Sequence, residues 1–265
     1  MANTTQQRET VLRYFKASGD AELAAQLLDL AEGARKSRRA RVSGFLDPHR
    51  QNLTEIQATN SPQVRYEMNG GFQNVERQKV AFIAEDFYGQ PDFAITALEI
   101  LWDKRYYDIG HRDVLGAFMG LGCKREILGD IVFIDEGAQL AVDTPMVDFI
   151  LSNLTKIGAA TVEVKVIPLE DLKEKEQKIK LISATVAALR LDAVAASGYG
   201  VSRSRMADEI KGQNVKLNWQ EAKSPSQTVK EGDVISFRSR GRVELAEVRG
   251  TTKKGRYAIT LKRYI

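Results

Sequence analysis

Cysteine and histidine are nearly absent from this chain of 265 residues, with one Cys (Cys123) and two His (His49 and His111). A lone thiol excludes an intramolecular disulfide and a cysteine zinc cage, and two imidazoles exclude a multi-histidine metal site. Long apolar runs are missing as well. No stretch approaches the roughly 18 residues of a membrane-spanning helix, and Met1–Thr10 is polar, so the expectation is a cytoplasmic protein with no membrane partner, metal or cofactor. Also missing are a GxxxxGK[ST] phosphate loop and an HExxH pair, which removes two common routes to nucleotide or zinc chemistry.

Charge is present, and it is unevenly placed. Residues 183–265 carry 16 Lys/Arg against 8 Asp/Glu, whereas residues 1–182 carry 23 against 27. The net charge is therefore +8 in the last third and −4 before it, which puts a polyanionic partner on the C-terminal part.

Three sections follow one another, giving an α+β chain. In residues 1–88, an N-terminal α/β section, Val11, Leu12 and Phe15 and then Leu23, Leu27, Leu28 and Leu30 read as helices, with Asp20 as N-cap of the second. A basic run, Arg35 to Arg41, leads into a loop holding Pro48 and Pro62. Val64–Met68 and Lys79–Ala84 read as strands around the turn Asn69-Gly70-Gly71. The basic run reads either as a solvated helix end or as a further RNA contact.

Residues 89–170 have the order βαββαβ of a ferredoxin- or RRM-like sandwich. Its parts are a strand over Ala94–Trp102, a helix over His111–Leu121, a hairpin of Ile131–Ile134 and Gln139–Val142, a helix capped by Thr144 and ended by Gly158, and a strand with Val162, Val164 and Val166 facing the core. An RRM reads RNA by stacking bases on aromatics of its central strands. Gln139-Leu140-Ala141-Val142 has none, so this domain is expected to be scaffold or protein-contact surface first and RNA reader second. Residues 171–182, charged and without Gly or Pro, read as a helical connector.

Residues 183–265 hold the candidate chemistry. Ser202 is the natural N-cap of a helix whose first turn carries Arg203 and Arg205 rather than acids. A bound phosphate would turn that unfavourable placement into a favourable one. The ordered set Arg190-Leu191-Asp192, Ser202-Arg203-Ser204-Arg205, Val215-Lys216-Leu217-Asn218, Lys223-Ser224-Pro225-Ser226 and Gly232-Asp233-Val234-Ile235 resembles the αL-type S4 RNA-binding domain, with Trp219 where a small turn residue is usual. Candidate RNA contacts are Arg190, Asp192, Ser202, Arg203, Ser204, Arg205, Lys211, Lys216, Lys223, Arg238, Arg240 and Arg242, with Arg190, Arg203 and Arg205 expected to form one phosphate-gripping cluster. A basic hairpin, Lys253-Lys254-Gly255-Arg256, extends the surface.

The resemblance reaches further. His111-Arg112-Asp113-Val114-Leu115-Gly116-Ala117, Leu121-Gly122-Cys123-Lys124-Arg125, Gly129-Asp130-Ile131 and the C-terminal Ser239-Arg240-Gly241-Arg242 with Arg263-Tyr264-Ile265 are similar to the signature of the YlmH family, bacterial S4-domain proteins historically linked to cell division. That resemblance implies an RNA-binding factor rather than an enzyme. Its S4 module would sit on rRNA and tRNA of the large ribosomal subunit, on particles still carrying peptidyl-tRNA, in ribosome-associated quality control. The alternative is an rRNA- or tRNA-modifying enzyme carrying an S4 module. The pseudouridine-synthase form of that reading rests on Arg190-Leu191-Asp192, but the following Ala193-Val194-Ala195-Ala196-Ser197 is out of step by one residue, and no Gly-rich turn suits a methyltransferase. His111, Arg112 and Asp113 read as a helix start in preference to acid–base residues.

Overall fold

A computed structural model describes residues 21–59, 63–174 and 179–264. The chain divides into two compact units, residues 1–175 and 176–265.

In the first unit, helix α1 (Ala21–Ser37) buries Ala24, Leu27, Ala31 and Ala34 against a three-stranded antiparallel sheet. That sheet has the order β1 (Ala40–Val42), β3 (Lys79–Ala84), β2 (Val64–Asn69). Arg35 and Lys36 fall in the last turn of α1, where cations suit the helix dipole. Pro48 is not in a loop. It opens helix α2 (Pro48–Thr59), with Asp47 accepting the Arg50 N–H at 2.9 Å; Asp-Pro supplies a cap followed by a residue whose missing N–H costs the first turn nothing. Val11, Leu12, Phe15, Asp20 and Pro62 lie outside the described residues.

The expected βαββαβ order follows: β4 (Ile95–Leu101), α3 (His111–Gly120), β5 (Leu128–Ile134), β6 (Gly137–Asp143), α4 (Val147–Asn153), then a small hairpin of β7 (Lys156–Ile157) and β8 (Ala160–Thr161), and β9 (Glu163–Ile167). The sheet order β5-β6-β4-β9 is the antiparallel arrangement of a split βαβ sandwich. Val114, Phe118, Val147 and Ile150 of the helices close over Leu98, Ile100, Leu128, Leu140 and Val142. Asp113 accepts the Gly110 N–H at 2.8 Å, the expected helix-start role.

Three local expectations are corrected. Thr144 does not cap α4; it lies in a 3-10 turn with Pro145, and its hydroxyl meets that of Thr96 at 2.8 Å. Gly158 does not end α4, which stops at Asn153; with φ +59 it turns the β7–β8 hairpin. Val162 is buried and Val164 packs on the core, but Val166 is 50% exposed. Val166 pairs with core-facing Leu98, so its side of the sheet is as expected; β9 is an edge strand, and Val166 is left half exposed on it.

The other face of this sheet, where an RRM would stack bases, is covered by the chain's own preceding section. Ala97, Gln139 and Ala141 are all buried. Gly71 lies so close that a Cβ on it would meet Ile95 Cγ2 at 3.1 Å and Ala141 Cβ at 3.2 Å, and Phe45 lies equally close over Gly129. Two buried cations fasten the cover. Arg77 donates to the carbonyls of Leu128 (2.8 Å), Phe45 (2.7 Å) and Arg125 (3.1 Å), while its own backbone N–H and that of Glu76 are accepted by Asp130. Burial, with Arg125 nearby, pulls the Arg77 guanidinium down to about 10. Lys79 reaches the carbonyls of Phe93 and Ala94 and the carboxylate of Asp143. Lys173 closes one side by donating its N–H to Gln139 Oε1 at 2.8 Å.

The second unit is a six-stranded antiparallel sheet with two helices on it. Its strand order is β10 (Ile179–Val186), β15 (Tyr257–Tyr264), β14 (Gly241–Thr251), β13 (Val234–Phe237), β11 (Val215–Leu217), β12 (Gln220–Glu221). Ile179–Ile182, expected within a helical connector, are strand: Ile179–Val186 pair residue for residue with Tyr264–Tyr257, and that ladder overrides local helix propensity. Helices α5 (Leu191–Tyr199) and α6 (Arg203–Lys211) bury Leu191, Val194, Ala195, Tyr199, Met206 and Ile210 on Val215, Ile235, Val243, Leu245, Ile259 and Leu261. Gly198 permits the close approach of α5 to β14, since a Cβ there would meet Val243 Cγ1 at 2.6 Å. The Tyr199 hydroxyl lies 2.8 Å from the Ile235 carbonyl and 3.0 Å from that of Gly241; burial pushes its ionisation up, so it stays a donor.

Candidate nucleic-acid interface

The chain enters α5 pinned by its backbone. Leu191 N–H donates to Gln227 O at 2.8 Å and Asp192 N–H to Pro225 O at 3.0 Å, so the Lys223-Ser224-Pro225-Ser226 turn holds the start of the helix. Asp192 stands in the first turn, where a carboxylate is favoured by the helix dipole, and its side chain is only 6% exposed. It accepts from Arg190 through Nε (3.3 Å) and Nη2 (3.1 Å), and from Arg203 Nε at 3.0 Å. Burial pushes the Asp192 carboxyl up, but the hydrogen bonds from Arg190 and Arg203 outweigh it and hold the group below the usual carboxylate range. One buried anion thus fixes two half-exposed guanidiniums, one from the residue preceding α5 and one from the first residue of α6. Each guanidinium has five N–H donors, so such a bond leaves others for a phosphate.

Arg205 does not join this pair. Its backbone N–H caps onto Ser202 Oγ at 3.2 Å, confirming Ser202 as the N-cap, and its side chain approaches Glu209 at 3.9 Å along α6. Ser202 and Ser204 are exposed, their hydroxyls 3.2 Å apart. Lys211 occupies the last turn of α6, Lys216 is exposed on β11 across from Glu221, and Lys223 is exposed beside the turn that holds α5. Arg238, Arg240 and Arg242 surround the β13–β14 turn, with Arg240 over the Phe237 ring (5.6 Å) and Arg242 over Tyr264 (5.1 Å). Arg263, not among the expected contacts, lies over Tyr199 at 5.5 Å. The candidates therefore fall into an anchored pair, a helix-start group and an arginine–aromatic edge. Only a contact map could have joined Arg263 to the last of these, because its ring partner is 64 positions away in sequence.

Trp219 sits in the left-handed region with φ +63, after Asn218 at φ +50, in the two-residue turn joining β11 and β12. The turn survives a bulky residue because Asn218 is locked, donating to Asp233 Oδ1 (2.8 Å) and accepting the Val234 N–H (2.9 Å). Among the described residues no group of three or more His, Cys, Asp or Glu side chains could hold a metal ion, and no helix is long and apolar enough to cross a membrane.

Comparison with known proteins agrees with this geometry. Residues 89–171 match the family model described as "Putative RNA-binding domain in YlmH", and residues 189–235 match the S4 domain. The chain is 34% identical over 239 residues to the ribosome-associated protein quality control protein P2 of Bacillus subtilis (strain 168), covering 90% of this chain and 93% of that relative. A solved structure, the cell division protein ylmH from Streptococcus pneumoniae, is similar in fold with a TM-score of 0.51 at 22% identity, over 58% of this chain and 95% of that one. With its middle βαββαβ domain and its S4 module both accounted for, the chain belongs to the YlmH family of S4-domain RNA-binding proteins.

Proposed function

We propose that this protein is a cytoplasmic, non-catalytic RNA-binding factor that docks through its S4 face on rRNA and tRNA of the large ribosomal subunit and serves ribosome-associated quality control on particles still carrying peptidyl-tRNA. The observation that carries the reading is the Arg190–Asp192–Arg203 arrangement, two guanidinium forks held ready on a basic module by a buried carboxylate. The name of the Bacillus subtilis relative supports the ribosomal setting. The same arrangement weighs against a pseudouridine-synthase reading, because the carboxylate of the Arg-Leu-Asp motif is buried and engaged by both arginines. The covered sheet face leaves the middle domain as scaffold or protein-contact surface rather than as a base-stacking platform.

Co-sedimentation of the full chain with large subunits, with and without peptidyl-tRNA, tests this. The wild type pellets preferentially with the tRNA-carrying particles, and Arg203→Ala together with Arg205→Ala reduces the bound fraction and makes its fall with salt less steep. A double variant that pellets undiminished at physiological salt overturns the docking assignment. Mass mapping of the RNA after incubation with protein would expose a modified base if the factor were an enzyme.

A further inference from the structure

The S4 match ends at residue 235, yet the second unit continues into β14 and β15, whose connecting turn comes back beside the helix pair. There a cleft of about 300 Å³ opens between three elements: the end of β10 and the residue after it (Thr185, Val186, Ala187), one face of α5 (Ala193, Ala196, Ser197), and the turn into α6, with Arg203 and Arg256 on its border. Three features make it a built site. Its walls on α5 are small side chains spaced i, i+3, i+4, which line one face of the helix at the cleft. Arg256, at the β14–β15 turn, is steered to the cleft by donating Nη2 to the Thr185 carbonyl at 2.8 Å. Arg203 is steered there too, since its Nε is taken by Asp192. Two oriented, always-charged forks beside a shallow recess of mixed polar and apolar lining match one chemical class better than any other: an unstacked nucleotide, its base on the alanine wall and its phosphates at the two guanidiniums.

We infer that the cleft bordered by Arg203 and Arg256 receives a single extruded nucleotide of the bound RNA, so that the C-terminal hairpin is a second half of the RNA site rather than an appendage. The inference rests on the S4 docking reading and deepens it. Sequence order hides the site, because Arg256 is 53 positions beyond Arg203.

Full-length protein is titrated with deproteinised large-subunit rRNA over a range of salt, beside a thermal melt of each variant. Ser197→Trp fills the recess without touching a charge, and Ser197→Ala controls for the hydroxyl, which donates to Ala193 O at 3.0 Å. Ser197→Trp should weaken binding by about tenfold, the scale of one stacked base, with the salt slope unchanged. Arg256→Ala should weaken binding and lower the log–log salt slope by about one. Ser197→Ala should bind as wild type. If Ser197→Trp and Arg256→Ala both bind as wild type while Arg203→Ala is weakened, the cleft is not a nucleotide site although the docking face stands. If Arg203→Ala also binds as wild type, the docking reading fails and this inference with it. Should Ser197→Trp melt early, Arg256→Ala decides alone, since its exposed side chain can be removed without opening the core.

Discussion

Replacing Asp192 by Asn removes one charge and almost no volume, and the structure sets the size of the effect. Three hydrogen bonds from guanidiniums end on this carboxylate, at 3.0, 3.1 and 3.3 Å. Hydrogen bonds to charged groups contribute roughly 1.5–3 kcal/mol when well made. Here Arg190 and Arg203 are 40% and 53% exposed, so water recovers much of what they lose, and the amide oxygen still accepts one bond. The expected cost is therefore about 1–2 kcal/mol. For the second unit, residues 176–265, that is a drop in Tm of roughly 4–16 °C. The pH dependence carries the sign. The folded carboxyl lies below its ordinary value of 3.8, so its contribution is fully present above that value and is lost as pH falls through the lowered folded one. Melts of wild type and Asp192→Asn should differ at pH 7 and converge at strongly acidic pH. Equal melting of the two proteins at pH 7 would refute the idea that Asp192 holds the arginines.

Other substitutions test neighbouring parts of the argument. Arg203→Ala, which leaves the buried carboxylate with one partner, should destabilise by about 1 kcal/mol, whereas Arg205→Ala should stay within about 0.5 kcal/mol; paired denaturant titrations distinguish them. Arg77→Lys keeps the charge but cannot span three carbonyls, so the first unit should lose about 2–3 kcal/mol by urea unfolding, and an unchanged midpoint would deny Arg77 its fastening role. Gly198→Ala drives a methyl into Val243 and should cost about 1–3 kcal/mol, partly recovered in the double variant with Val243→Ala; strict additivity would show the two are not in contact.

Much of the architecture is legible in the sequence because local signals and global packing agree. The βαββαβ order, the Ser202 cap and the presence of a hairpin after Ile134, though not its two-residue turn, all rest on residues that act within a few positions of themselves. Where the sequence misleads, a distant partner decides. Ile179–Ile182 look like the end of a charged helix until β15 pairs with them, and Thr144 looks like a cap until Thr96 takes its hydroxyl. Val166 is placed on the correct face, but periodicity cannot say how far the helices extend over an edge strand. Asp47-Pro48 is a local helix-start signal that the two prolines of the segment disguise as a loop. At the site, the charge count points to the module in which Arg190 and Arg203 converge on Asp192, while Arg205 turns along its own helix because Glu209 lies one turn away. Arg256 is legible as part of a basic hairpin that extends the surface, but its place beside Arg203 is not, because only the return of β15 brings it near.

The covered sheet of the first unit bears on how such a protein can be taken apart. The stretch that matches a family model begins at residue 89, but Phe45, Gly71, Arg77 and Lys79 of the lid over its sheet come from earlier positions, and Lys173, which closes one side, from just beyond it. Cut at residue 89, the sandwich would keep its helix-side core yet present a floor of Ala97, Ala141, Gln139 and Asp143 to water, with the carboxylate of Asp130 deprived of both its amides. The segment recognisable by sequence is thus smaller than the compact unit it belongs to, residues 1–175. A recombination event, or an expression design, that moves residues 89–171 alone would carry a sheet without its lid, and should yield a less stable sandwich than one moved together with the section before it.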